Sequence, residues 1–438
     1  MNKTKIHALS AITKKLTFGN VLKLIRTPES KKAIVLYISQ LLGILFSFAT
    51  QKLNTNHLSG PQEYGIVTAS LAIFTFMYMF FEFGVFASGA RLLARCKTEQ
   101  ETREMYGTLF VFVFFIAMLF SILMTIGSAF LPFIYSSEQI RQVMILASLL
   151  AWVYPLQFFF QETAQGSGKI YQLSMYTVLS KFLYTASLGI AILFSTVNAT
   201  LSLLLNLGAM GVSGLMAVYV LRPSFARWKA NIPALKTEIR QYGWHIYVGR
   251  ALASPAFNLT SVLIPYLNSM ASSAYFTVGG SLSAPMVMAS QSISSSLFKN
   301  FSTQKKLKNR LILINIAILA LLGSGIYFGA PILIHLVASQ RYIDVLSLMF
   351  PLVLAGFFQG FYQPFNLFIS AHGKGIWTKQ ISIICTVFDV ISSVLMVSYY
   401  GLIGACWQSV ASRVFWSMMI YYNYHRTVVS LREINTTK

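Results

Sequence analysis

The chain has 438 residues, of which 55% are hydrophobic and only 11% are charged. Because a soluble domain usually carries about 25% charged residues, this composition excludes a water-exposed globular surface of ordinary polarity. The net charge of +22 comes from basic residues at the ends of apolar segments rather than from one patch, which argues against nucleic acid as a partner.

Apolar segments of about 20 residues, the length that crosses a bilayer as a helix, follow one another from Ala33 to Tyr422. They predict an all-α, polytopic membrane protein with twelve transmembrane helices. The first six spans are predicted at 33–53, 64–89, 106–131, 143–166, 171–195 and 200–221. The second six are predicted at 243–268, 274–298, 311–336, 346–371, 376–399 and 402–423.

The basic residues predict the orientation of these spans. About 28 of the 34 basic residues fall in the leader, the tail and every second loop, whereas only Lys52, Arg141 and Arg341 fall in the loops of the other side. We therefore expect both termini to be cytoplasmic. The leader 1–32 is basic, and its residues 6–25 are typical either of an amphipathic helix on the membrane surface or of a disordered basic tail.

The spans divide into two six-helix bundles, 33–221 and 243–424, which are joined by a cytoplasmic linker, 222–242, and followed by a cytoplasmic tail, 425–438. Short self-similarities, such as Tyr64-Gly65-Ile66-Val67 with Tyr275-Phe276-Thr277-Val278, favour a duplication. Halves with the same number of spans and the same starting side would be parallel repeats around a central cavity.

Six charged residues lie well inside apolar spans, away from their ends: Glu82, Glu162, Lys181, Arg250, Asp389 and Arg413. A charge at the bilayer centre costs about 2.5–3.5 kcal/mol or more, so such residues face a bundle interior or a wet cavity. Two interpretations remain open: the six pair as three buried ion pairs that hold helices together, or they line the central cavity. Of the six, Glu162 is the closest to the end of its span, where water can solvate it.

Uncharged polar residues form stripes at helical spacing in corresponding spans of the two halves, the first with the seventh and the fourth with the tenth. These stripes either hydrogen-bond to neighbouring helices or line a hydrated vestibule. Their position in both halves favours the cavity. The members that we select as site residues are Gln161, Asn258 and Gln363.

Metal and cofactor chemistry has no signature in the sequence. Cys96, Cys385 and Cys406 are isolated, and the six histidines lack zinc spacing. We expect no cofactor and no metal.

Three motifs near the N terminus are similar to those of a known family. Gly60-Pro-Gln-Glu-Tyr64-Gly65 enters the second span, Glu82-Phe83-Gly84 follows, and Ala90-Arg91-Leu-Leu-Ala-Arg95 leaves it. This pattern resembles bacterial polysaccharide flippases (Wzx-like) of the multidrug/oligosaccharidyl-lipid/polysaccharide exporter superfamily. Asp is frequent where this chain has Glu82.

The resemblance implies translocation of an undecaprenyl-pyrophosphate-linked oligosaccharide across the bacterial inner membrane by alternating access. Cations would bind the pyrophosphate: Lys181, Arg250 and Arg413, with Arg91 and Arg95 near the cytoplasmic mouth. Glu82, Asp389 and Glu162 are the candidates for coupling to an ion. The expected partners are the lipid-linked substrate and membrane lipids, with a glycan polymerase and a chain-length regulator as further candidates.

Two other functions compete with this one. A multidrug or organic-cation antiporter of the same superfamily would favour an acidic cavity, whereas the charges within these spans are balanced. A glycan polymerase would need a large outer loop with catalytic groups, which the short loops do not provide, so we expect no enzymatic activity.

Overall fold

The computed structural model describes residues 28–135, 138–297, 301, 304–372 and 375–436. The leader up to residue 27 lies outside the described residues. The helices of the first half are α1 Pro28–His57, α2 Pro61–Tyr78, α3 Val85–Leu93, α4 Glu99–Ser128, α5 Leu131–Tyr135, α6 Glu138–Ser148, α7 Val153–Gly166, α8 Ile170–Phe194 and α9 Ala199–Leu221.

The linker contains one further helix, α10 Trp228–Glu238, which continues through a π-helical turn, Ile239–Gly243, into the second half. The helices of that half are α11 Trp244–Leu267, α12 Met270–Ser296, α13 Asn309–Val337, α14 Leu346–Ala371 and α15 Gly375–Thr436. A short 3-10 helix, Gln340–Val345, precedes α14.

Together these helices confirm the predicted all-α membrane architecture of twelve spans within the described residues. Six helices are individually long and apolar enough to cross a membrane, and the bent pair α6 and α7 makes a seventh such span. Helix α15 holds the last two spans, because the chain reverses at Gly401, whose φ of 57° and ψ of −135° lie outside the helical region.

Two spans that the hydrophobic pattern predicted as continuous are broken. The second span stops at Tyr78 and resumes at Val85, because Phe83 and Gly84 adopt left-handed φ values of 47° and 69°. The fourth span bends by 57° between α6 and α7. Pro155 explains this bend, since its ring clashes with the carbonyl group four residues earlier and removes one helical hydrogen bond.

The loops fall on two sides of the bundle. We call the side that carries Arg95, Arg227 and Lys306 the basic side, and the other the opposite side. The linker is attached to the first half on the basic side, where the Ser224 amide donates to the Arg103 carbonyl oxygen at 2.9 Å and the Asn231 amide group donates to the Thr108 hydroxyl at 3.2 Å.

The outer surface of the bundle is strongly apolar. Side chains such as Phe133, Phe194 and Phe328 are 80% or more exposed, which a bilayer accommodates and water does not. The halves meet along α2, which packs against α11 and α12 of the second half. Most of the polar and charged residues described below lie along this contact, at the linker or inside the second half, whereas Lys181 lies on α8 of the first half.

Candidate functional site

Three of the charges within the spans form one ionic cluster between the halves. Arg250 Nη1 lies 2.7 Å from Glu82 Oε1 and 2.8 Å from Glu162 Oε1. Glu82 lies in the break after α2 and Glu162 lies on α7, so both carboxylates belong to the first half, whereas Arg250 lies on α11. The Glu82 side chain is 8% exposed and that of Arg250 is 42% exposed.

This cluster lies toward the basic side. Helix α11 begins on that side at Trp244, so Arg250 is about 9 Å along it at 1.5 Å per residue. The guanidinium donates charge-assisted hydrogen bonds to both carboxylates, which are stronger than neutral ones. Two negative groups share one positive group, so the cluster keeps one net negative charge when both carboxylates are ionised.

The backbones of the two halves also approach each other closely beside this cluster. A Cβ atom on Gly84 would lie 2.2 Å from the Gly243 carbonyl oxygen, so only glycine permits this approach. The Tyr247 hydroxyl donates to the Phe80 carbonyl oxygen at 2.9 Å. We call the ionic cluster together with these contacts the basic-side junction.

The halves also meet on the opposite side, through different chemistry. A Cβ atom on Gly65 would lie 1.8 Å from the Met270 carbonyl oxygen, which marks a tight crossing of α2 and α12. One turn further along, the hydroxyl oxygens of Thr68 and Ser273 are 3.1 Å apart. Arg341 donates to the Ser59 carbonyl oxygen at 3.1 Å. These contacts form the opposite-side junction.

Two further contacts reinforce the opposite-side junction. Lys52 on α1 donates to the carbonyl oxygens of His335 and Ala338 at the end of α13. Tyr64 and Tyr275, which the sequence matched as repeat equivalents, both pack edge-on against the ring of Tyr342, with centroid distances of 6.3 and 5.7 Å. Hydroxyl, carbonyl and aromatic contacts thus replace the ion pairs of the other side.

Arg91 and Arg95 face the linker. Their Nη1 atoms lie 2.9 and 3.2 Å from the two carboxylate oxygens of Glu238, which is buried at the end of α10. Arg91 also lies over the ring of Tyr242, 4.7 Å from its centroid. The two arginines are about half exposed, so they combine attachment of the linker with a solvent-accessible positive surface.

Lys181 lies in the middle of α8 and is exposed. Its neighbours one turn away, Thr177 and Thr185, contact α1: the Thr185 hydroxyl is 2.7 Å from that of Thr50, and the methyl group of Thr177 lies against Gly43. Lys181 therefore shares the stripe of α8 that borders α1. Among the described residues, no carboxylate lies within ion-pair distance of it.

Asp389 and Arg413 lie together on the two halves of α15, inside the second bundle. Asp389 is 1% exposed, and its Oδ2 accepts a hydrogen bond of 2.9 Å from the Trp416 indole. Both residues line a polar cavity of about 100 Å³. Arg413 also lines a neighbouring cavity of about 300 Å³, which α12 and α14 complete.

The three cations selected from the sequence are therefore distributed rather than clustered. Arg250 is in the basic-side junction, Arg413 is in the second half and Lys181 is on α8 of the first half. Arg250 forms ion pairs, as the first interpretation expected. Arg413 lines cavities, but these lie inside the second half rather than between the halves.

The uncharged predicted residues contribute less to the described geometry. Gln161 is partly buried beside Glu162, and Gln363 is partly buried on α14. The side chain of Asn258 lies outside the described residues. Sequence reasoning missed Gln408 and Phe276 as cavity residues; the signal for Gln408 was its place in the last span, five residues before Arg413.

Comparison with known proteins agrees with this architecture. Residues 30–298 match the family model described as polysaccharide biosynthesis protein. A search among curated proteins finds no match. The fold is similar to an inward-facing multidrug resistance MATE family transporter of the MOP superfamily, with a TM-score of 0.68 and 15% identity over 92% of this chain and 99% of that one.

Two other solved structures share this fold. The lipid II flippase MurJ in an inward closed conformation has a TM-score of 0.67 and 12% identity over 91% of this chain and 89% of that one. A MOP superfamily transporter from Pyrococcus furiosus, described as having a binding pocket of reverse polarity, has a TM-score of 0.65 and 16% identity over 95% of this chain and 99% of that one.

Proposed function

Because the chain belongs to the polysaccharide biosynthesis protein family, we propose that it moves an undecaprenyl-pyrophosphate-linked oligosaccharide from the cytoplasmic to the outer leaflet of a bacterial inner membrane. The family match confirms the resemblance that the motifs indicated. The fold is that of transporters and flippases, and the basic side is the cytoplasmic side in this proposal.

The observation that carries the proposal is the ionic junction between the halves. Arg250 joins the second half to two carboxylates of the first half within membrane-spanning segments. Helix packing alone needs no such charges, which are costly in a bilayer. A contact that must open and close gains from charged groups, because water can solvate them once the halves separate.

The two junctions support alternating access as the mechanism. Opening the basic-side junction while the opposite-side junction stays closed would admit the glycan from the cytoplasm. Closing it and opening the opposite-side junction would release the glycan outside. The lipid tail stays in the bilayer throughout, so only the polar head group needs a wet path between the halves.

The basic residues have different roles in this mechanism. Lys181 is exposed and has no carboxylate within ion-pair distance among the described residues, so it is the cation most accessible to the pyrophosphate. Arg250 becomes available only when it leaves Glu82 and Glu162. Arg91 and Arg95 attract the anionic head group at the cytoplasmic mouth. Arg413 lies inside the second half, apart from these cations.

Coupling to protons would act on the same cluster. Protonation of Glu82 or Glu162 removes the excess negative charge and weakens the hold on Arg250, which favours opening of the basic-side junction. One charge moved across the membrane is worth about 2.3 kcal/mol per 100 mV. Asp389 is a second proton carrier in the proposal, and a glycan polymerase and a chain-length regulator are proposed partners at the outer leaflet.

The proposal is tested by reconstituting the purified protein in proteoliposomes with a lipid-linked repeat unit extracted from cells that lack the flippase. Accessibility of the glycan to an added glycosidase reports its leaflet. We expect movement between leaflets that protein-free vesicles do not show. Efflux of an organic cation such as ethidium without glycan movement would instead indicate a drug antiporter.

A further inference from the structure

Two adjacent cavities inside the second half are not explained by opening and closing between the halves. The smaller has a volume of about 100 Å³ and the larger about 300 Å³. The volume of the larger cavity is at the lower end of the range for small-molecule sites. They share three lining residues, Phe276, Ser409 and Arg413. We call them together the C-terminal cavity pair.

The smaller cavity is lined mainly by polar groups. Asp389 is 1% exposed and accepts from Trp416 through Oδ2. A carboxylate can accept several hydrogen bonds through its two oxygens, so a ligand hydroxyl that enters the cavity can donate to it as well. The side-chain oxygen of Gln408 accepts a hydrogen bond of 3.0 Å from the Thr260 hydroxyl, and this bond orients the Gln408 side chain.

The charges of the cavity pair select the class of ligand. Arg413 disfavours a metal cation or an organic cation, and Asp389 disfavours a phosphate. A neutral ligand with several hydroxyl groups suits both, because a hydroxyl donates to a carboxylate and accepts from a guanidinium. Ser409, Ser412 and Gln359 add further donors and acceptors along the walls.

An aromatic ring completes this chemistry. Phe276 on α12 is partly buried and lines both cavities. The negative face of an aromatic ring attracts the polarised C–H bonds on the apolar face of a pyranose. A planar ring beside a carboxylate, a guanidinium and two glutamines therefore matches a sugar better than it matches a lipid tail.

The depth of the cavity pair suits a translocated group. Arg413 follows the reversal at Gly401 on the opposite side by twelve residues, or about 18 Å of helix, and Asp389 precedes it by twelve. Both residues therefore lie near the middle of a hydrocarbon core about 30 Å thick. Transporters hold their cargo at this level.

We propose that the C-terminal cavity pair binds a sugar ring of the lipid-linked oligosaccharide, with Phe276 against the face of the ring and with Asp389 and Arg413 bonded to its hydroxyl groups. The inference rests on the proposed function and assigns the recognition of the glycan to the second half. The pyrophosphate binds outside the C-terminal cavity pair, so separate sites recognise the charge of the head group and the identity of the sugar.

The test separates sugar binding from phosphate binding in the proteoliposome assay. Phe276→Leu keeps an apolar side chain of similar bulk but removes the ring, and Phe276→Tyr keeps the ring. We expect Phe276→Leu to raise the half-saturating concentration of the lipid-linked repeat unit at least tenfold, and Phe276→Tyr to change it less than threefold. Sugar-free undecaprenyl diphosphate should inhibit the wild type and both variants equally.

Controls distinguish this result from a general defect. Phe328→Leu makes the same change on α13 at a side chain that is 80% exposed, and it should leave the half-saturating concentration unchanged. Asp389→Asn should raise it as Phe276→Leu does. Equal behaviour of Phe276→Leu and wild type, or loss of inhibition by the sugar-free carrier in Phe276→Leu, would overturn the inference. A wild type that moves no glycan would overturn the proposed function itself.

Discussion

Gly84 and Gly243 face each other across the basic-side junction, so that a Cβ atom on Gly243 would lie 2.5 Å from the Gly84 carbonyl oxygen and 2.1 Å from the Ser88 hydroxyl. Gly84 requires glycine for its left-handed φ as well, but Gly243 has a helical φ of −60°. Substitution at Gly243 therefore tests the contact without adding backbone strain.

We predict that Gly243→Ala holds the basic-side junction apart. Overpacking of this kind costs about 1–3 kcal/mol, so the variant should melt at a lower temperature and move glycan more slowly than the wild type. The control is Gly189→Ala, because a Cβ atom there meets no atom within 4 Å. Identical melting temperatures for the two variants would show that the close approach is not needed.

Removal of Arg250 should leave two carboxylates together without their cation. Breaking a buried ion pair costs about 3–5 kcal/mol, and the partial exposure of Arg250 places the loss toward or below the lower end of that range. We expect Arg250→Ala to abolish surface glycan export in cells while the protein still inserts into the membrane. Normal export by this variant would contradict the role of the junction.

A double-mutant cycle distinguishes the cluster from its single members. Glu82→Gln and Arg250→Ala should each reduce the thermal stability of the purified protein. The double variant should lose less than the sum of the two losses, because only one of the two carboxylates, Glu162, then remains without its cation. Additive losses would mean that the two side chains act independently.

Lys181 should matter for affinity rather than for stability. It is exposed and has no carboxylate within ion-pair distance among the described residues, so Lys181→Ala should leave the melting temperature within about 2 °C. The half-saturating concentration of the lipid-linked repeat unit should rise about tenfold, while Lys181→Arg retains affinity. Lys229→Ala, on α10, is a charge-matched control. Equal effects at Lys181 and Lys229 would indicate general electrostatics.

Proton coupling predicts a specific loss of response to a gradient. In proteoliposomes, a pH gradient across the membrane should accelerate glycan movement by the wild type. Glu82→Gln carries a permanently neutral side chain at this position, so its rate should respond less to the gradient than that of the wild type, with Glu162 and Asp389 still able to take up a proton. If the rates of the variant and the wild type respond to the gradient to the same extent, Glu82 does not take part in proton coupling.

The sequence predicted the fold well because lipid imposes a simple rule. Each span needs about 20 apolar residues, so the segments from α1 to α15 stand out, and the basic loops alternate with them. The breaks near Phe83 and Ala151 were not predicted. The first depends on a contact with Gly243, which is distant in sequence, and the second on a single proline within an otherwise continuous apolar segment.

The site was only partly predictable. The charges in the spans were identified because each is costly there. The structure brings Glu82, Glu162 and Arg250 together in ion pairs, as the first of the two interpretations expected. It separates Lys181 from Arg413, because helix rotation and the position of each half are set by packing that a single sequence does not reveal. Phe276 carried no signal, since aromatic residues are common throughout these spans.

Alternating access requires the halves to separate on the opposite side, and Thr68 and Ser273 allow this movement to be measured directly. Their hydroxyl oxygens are 3.1 Å apart, so cysteines at both positions, in a protein whose native cysteines Cys96, Cys385 and Cys406 are replaced by serine, should form a disulfide. The single-cysteine variants are the controls.

Glycan movement by the double-cysteine protein in proteoliposomes, before and after reduction, is therefore the most direct test of alternating access. If the halves alternate, the oxidised protein is inactive because they cannot part on that side, and a reductant restores the rate of the single-cysteine controls. A fully cross-linked protein that moves the lipid-linked repeat unit as fast as its reduced form would contradict alternating access.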